Sequence, residues 1–114
     1  LNLKPHANNP LEDLLRTLHS QNETLGKARN EYLSLEASRK FEEAALIKAA
    51  EGKSHSEKIT NAQGTKAWLN FHKKLARAEA IYEFQRLKFS ILEKEFQAVY
   101  LMHKLDSGLI KKEF

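Results

Sequence analysis

Along residues 68–105 apolar side chains recur in steps of three and four, and they do so twice, on two faces of one helix. The first series is Trp68, Phe71, Leu75, Ala78, Tyr82, Gln85, Phe89, Leu92, Phe96, Val99 and His103. The second is Phe84, Leu87, Ile91, Lys94, Ala98, Leu101 and Leu105. A seam in this heptad rhythm, the rhythm of coiled coils, packs a helix against one neighbour, so two seams require two neighbours. The pattern therefore predicts a helix inside a bundle.

A matching register runs through the first half of the chain. It reads Leu11, Leu14, Leu18, Gln21, Leu25, Ala28, Tyr32, Leu35, Arg39, Glu42, Leu46 and Ala49, nine of the twelve being apolar. Asn9 is placed to cap this helix, with Pro10 at the first helical position and Glu12 completing an Asn-x-x-Glu box. Ser20, Glu23 and Gly26 mark a weak point where a second capping box and a poor helix former invite a break. Beyond it Leu33, Ala37, Phe41, Ala44 and Ile47 suggest a buried face that widens towards the connector.

The punctuation between the two seams is short. Gly52 suits the position just past a helix end, Ser54 and Glu57 form a capping box for a brief helix, and Gly64 closes it. Thr65 can then cap the last helix, which Gly108 would stop. The expected fold class is all-α: an antiparallel helical hairpin with helices at about 10–51, 55–63 and 65–106, each long one roughly 60 Å. Residues 1–9 read as a flexible tail and 108–114 as a C-terminal tail around a hairpin at 10–107.

Two helices of equal length bury one seam each, so the second seam of the last helix needs other cover. Residues 10–20 could fold back over it, or a second chain could pack there; a homodimer or higher homo-oligomer is the expectation. The interface would consist of Phe84, Leu87, Ile91, Ala98, Leu101 and Leu105. Left bare, these side chains would form a patch unusual for a soluble monomer. Traced backward, the same register meets Ala80, Arg77, Lys73, Asn70 and Lys66, and so turns polar and basic.

Composition narrows the choice of chemistry. The 114 residues are enough for one domain, with 30% charged, four Gly and two Pro, as long helices require. No apolar run approaches a membrane span, and no membrane partner is expected. The absence of Cys removes disulfides and thiol chemistry together. The chain starts at Leu1 rather than Met, consistent with removal of a leader or tag, and a cytoplasmic protein is expected. The net charge of +4 is uneven: residues 48–77 hold seven Lys and Arg against Glu51 and Glu57. Lys53, Lys58, Lys66, Lys73, Lys74 and Arg77 are the candidate contacts for an anion or nucleic acid.

The stretch ASRKFEEAALIKAAEGKSHSEKITNAQ (37–63), followed by LARAEAIYEFQRLKFSILEKEF (75–96), resembles a group of small phage and prophage proteins. They share an Ala-rich helix end, a Gly-Lys-Ser/Thr connector with a following Glu, and a helix of the form A-x-A-x-Y-x-x-x-K. The resemblance covers roughly residues 30–100. Such proteins are often encoded near recombination or replication genes, so the resemblance implies a helical hairpin in a phage-type nucleic-acid module, and it supplies no catalytic residue.

Each remaining motif has a plainer reading. Gly52-Lys53-Ser54 looks like the end of a P-loop, but Ile47 stands where the first glycine belongs and a helix precedes it, so it reads as a helix stop and cap. His6, His19, His55, His72 and His103 lack the Glu-x-x-His pairs of bundle metal sites, and neither metal nor cofactor is expected. Gln21, Arg39, Gln85 and His103 interrupt the seams, as register-setting residues do. On a simple antiparallel count Gln21 meets the far end of the last helix, and Gln85 meets residues 30–35. Trp68 and Phe71 are expected to pack on Phe41, Ala44 and Ile47. No enzyme signature is present, and the expected function is a scaffold or adaptor, with nucleic-acid binding as the alternative.

Overall fold

The computed structural model describes residues 9–108, and the tails expected on either side, with His6, lie outside them apart from Asn9 and Gly108. Three helices follow in order: α1 (Pro10–Ala49), α2 (His55–Gln63) and α3 (Lys66–Asp106). Among the described residues there is no strand, and α1 and α3 pack antiparallel as a long helical hairpin with α2 in its connector.

Each helix starts where a side chain can take up its unpaired amides. Asn9 Oδ1 accepts from the Glu12 amide at 3.1 Å, and the Glu12 carboxylate accepts from the Asn9 side-chain amide at 3.0 Å. Ser54, in extended conformation, accepts from the Glu57 amide at 3.1 Å. Thr65 accepts from the Trp68 amide at 3.2 Å while donating to the Ala62 carbonyl at 2.7 Å. α1 passes through Ser20–Gly26 unbroken, and Thr24 donates back to the Ser20 carbonyl. One Gly costs a helix about 1 kcal/mol, too little to break it where Leu25 before it and Ala28 after it turn inward.

The connector is built more tightly than its length suggests. Gly52 holds φ at +155°, wider than the left-handed helix stop the sequence suggests. Its bare Cα lets the chain pass against Glu57 and Lys58 of α2, and further along that helix the Asn61 side chain donates to the Glu51 carbonyl at 2.6 Å. Gly64 ends α2 at φ −88°, an ordinary right-handed value, so it needs no glycine. Ala62 is wholly buried.

The chain divides into two compact units, one of Lys27–Glu83 and one of the segments ending at Gly26 and beginning at Phe84. In the first, Leu75 and Ala78 are buried, and Tyr32 stacks on Tyr82 with centroids 5.7 Å apart. In the second, Gln21 is the most buried described residue, only 6% exposed. Its amide donates to Gln85 Oε1 at 2.6 Å and reaches the Gln85 carbonyl at 3.4 Å. Gln21 and Gln85 thus meet each other, not the separate places a linear count assigns them. A buried amide must find a polar partner, and these two are each other's.

The first seam of α3 faces inward from Trp68 to Val99, and only His103 departs from it by being exposed. The α1 register holds to Arg39 and then slips. Glu42 and Ala49 are exposed, while Glu43, Leu46, Ile47 and Ala50 turn inward. A straight α-helix drifts about 20° per heptad against a strict seven-residue repeat, so four heptads displace the face by almost one residue. The widened face does not form either. Leu33, Ala37, Phe41 and Ala44 are exposed, Phe41 at 74%, so Trp68 and Phe71 do not have Phe41 and Ala44 as their bed. Two residues past Arg39, Phe41 lies about 200° round the helix, on the far side.

Candidate functional site

Two surfaces carry what the packing leaves over, one in each compact unit. The first is the back of α3 within the unit that begins at Phe84. Phe84, Leu87, Ile91 and Leu101 are each more than half exposed, Ala98 and Lys94 are exposed, and Leu105 is half-buried. Residues 10–20 belong to α1 and do not cover this seam, so the fold-back alternative is excluded by the continuity of α1. Nearby, Tyr100 stacks on Phe96 at 6.1 Å, and the Lys104 ammonium sits 4.6 Å over the Tyr100 ring.

The second surface is basic and lies within Lys27–Glu83. The six cations expected to act together separate. Lys73, Lys74 and Arg77 line one depression of about 300 Å³ with Asn70, all on one stripe of α3. Lys58 instead lines a groove of about 500 Å³ between α1 and α2. Its other cations, Lys40 and Lys48, come from α1, and His55 from the first turn of α2. Lys53 and Lys66 are exposed and line neither cavity. Of the α1 contribution, Lys40 escaped sequence reading because it lies outside the charge-rich window. The spacing 40, 44, 47, 48 is a visible helical stripe, but only the packing of α2 turns it into a groove.

Behind the groove is a small polar cluster. Glu43, on the groove wall, lies 2.9 Å from His72 Nε2 and 3.7 Å from Arg39 Nη1. The His72 nitrogen is shut off from solvent and makes no well-aligned hydrogen bond, so its closeness to the carboxylate is its main polar contact. Trp68 and Phe71 flank the same imidazole at 5.0 and 5.5 Å, which puts both aromatics in packing. Arg39 is half-buried, and its hydrogen bond to Glu36, followed by the charges of Glu36 and Glu43, raises its pKa above the usual arginine value. This cluster explains the polar seam position at Arg39: it is charge-paired along α1.

Tyr32 is the other perturbed group. Its phenol is held above the ordinary tyrosine value by burial first, and then by Glu79, Glu36 and Glu83. No nucleophile stands beside it, and among the described residues no group of His, Asp and Glu is arranged to hold a metal ion. His19, His55, His72 and His103 do not converge. Among the described residues no helix is long and apolar enough to cross a membrane.

The fold and its surfaces define the class: an all-α helical hairpin with one apolar and one basic outer face. No protein-family model, curated protein or solved structure matches the chain.

Proposed function

We propose that the protein is a non-enzymatic, self-associating helical hairpin that serves as a scaffold or adaptor in a larger assembly. The observation that carries this reading is the exposed seam from Phe84 to Leu101 on the back of α3. A heptad seam packs best against another of the same rhythm, and a second copy of α3 offers one of equal length. Contiguous apolar surface of this kind on a soluble protein marks an interaction site. Lys94 in its middle resembles the single polar seam residue that fixes partner number and register in coiled coils. The resemblance of residues 30–100 to small phage-type hairpin proteins fits a cytoplasmic assembly component. Sedimentation equilibrium at tens of micromolar tests the reading: a dimer or larger species is expected, and a clean monomer overturns self-association.

A second reading, non-sequence-specific binding of nucleic acid, is favoured by one observation. Lys73, Lys74 and Arg77 share one depression with Asn70 and no acidic residue lines it. Such a cluster supplies the sequence-independent phosphate contacts on which this kind of binding depends. Anisotropy titration at two salt concentrations tests it, with steep salt dependence expected.

A further inference from the structure

The most exposed large apolar side chain described in this chain is Phe41, at 74%, and it stands one helical turn before Ala44, which lines the groove between α1 and α2. Phe41, Ala44 and Lys48 fall at i, i+3 and i+7 and so share one face of α1. Beside them the groove presents three ammonium groups, from Lys40, Lys48 and Lys58, over a floor of Ala44 and Ile47. Its one carboxylate, Glu43, lies 3.7 Å from Arg39 Nη1 and is partly neutralised by that guanidinium. The groove thus combines localised positive charge with an apolar floor, and an exposed aromatic ring shares the face of α1 that carries Ala44 and Lys48.

We propose that this groove binds a short stretch of single-stranded nucleic acid. Lys40, Lys48 and Lys58 take the phosphates, the bases lie towards Ala44 and Ile47, and Phe41 stacks one of them. A cavity of about 500 Å³ is of the size that holds a small ligand unit. Single strands suit it and duplexes do not, because only unstacked bases offer a face to an aromatic side chain. An alternating supply of cations and aromatic platforms is how proteins bind single strands without reading sequence. The proposal rests on the second reading above but assigns the contact to different residues.

The test uses the intact chain and a short fluorescein-labelled oligothymidylate, followed by anisotropy across a salt series. Phe41→Ala is expected to weaken binding about tenfold with an unchanged salt slope, since stacking is not electrostatic. Lys48→Gln should lower the slope by about 0.7, the value for one phosphate contact on a single strand. Both side chains are exposed, so both variants should unfold at the parent temperature. Binding that survives both changes yet is lost in Lys73→Gln/Lys74→Gln overturns the groove while sparing nucleic-acid binding as such. Equal competition by a duplex also overturns it. No binding at low salt by the parent chain overturns the groove and the second reading together.

Discussion

The Gln21 side-chain amide donates to the Gln85 side-chain oxygen at 2.6 Å, joining a polar seam residue of α1 to one of α3. Each would be costly alone, because a buried amide without a partner forfeits its hydration. Gln21→Leu should therefore destabilise the protein by about 1–3 kcal/mol, chiefly by orphaning Gln85. The double variant Gln21→Leu/Gln85→Leu should recover most of that loss. Urea unfolding of the four proteins in a double-mutant cycle measures the coupling, and additive losses would show that the pair does not act as a unit.

Tyr32 gives the protein an alkaline limit. Its phenol holds its proton to higher pH when folded than the ordinary 10.0, because burial and the carboxylates of Glu79, Glu36 and Glu83 oppose the phenolate. Above about pH 10 the unfolded chain loses that proton first, so the native state binds more protons and stability falls as pH rises. The contribution is fully present below pH 10 and is lost as pH climbs through the raised native value. Tyr32→Phe should flatten this fall in thermal unfolding between neutral and strongly alkaline pH, with little effect near neutrality.

Local signals were the legible ones. The caps at Asn9, Ser54 and Thr65 stand out because each needs only a side-chain oxygen three residues from the amide it serves. The inner seam of α3 is legible for a similar reason, since large apolar residues repeat without ambiguity from Trp68 to Val99. What depends on two helices at once was hidden. The slip from Glu42 to Glu43 accumulates from helical twist over four heptads, and the sequence offers no punctuation where it occurs. Phe41 reads as core by residue type alone, although two residues past Arg39 it falls on the far side of α1. The α1–α2 groove was hidden because its lysines come from two elements whose approach is set by Gly52 and by the Asn61 bond to Glu51.

Ile91 and Phe89 are two residues apart on α3 and should respond in opposite ways. Ile91 is 58% exposed, so Ile91→Glu should change the stability of the isolated hairpin by no more than about 0.5 kcal/mol. In a subunit contact the same change would bury an unpaired carboxylate and favour monomers. Phe89 is half-buried in the inner seam. Phe89→Ala should cost about 2 kcal/mol, below the value for a fully enclosed ring, with oligomer mass retained. Mass by light scattering and unfolding by heat, measured on both variants, distinguish an interface on the back of α3 from a merely wet face.

Gly52 and Gly26 make the same point about backbone in opposite directions. A Cβ on Gly52 would lie 2.9 Å from the Lys58 amide nitrogen, 3.1 Å from Lys58 Cγ and 3.2 Å from the Glu57 carbonyl carbon. Two of those atoms are backbone, and φ of +155° is itself unfavourable for any side chain. Gly52→Ala should therefore cost on the order of 1–3 kcal/mol and loosen α2 from the end of α1. Gly26 sits inside α1, and beyond its chain neighbours and the helix's own backbone nothing lies within 4 Å of where its Cβ would be. Gly26→Ala should stabilise the protein by about 0.4–1 kcal/mol, by restricting the unfolded chain at no steric cost. Thermal unfolding of the two variants should shift in opposite senses. Amide exchange in residues 55–63 should quicken for Gly52→Ala alone, because only that change disturbs the packing of α2.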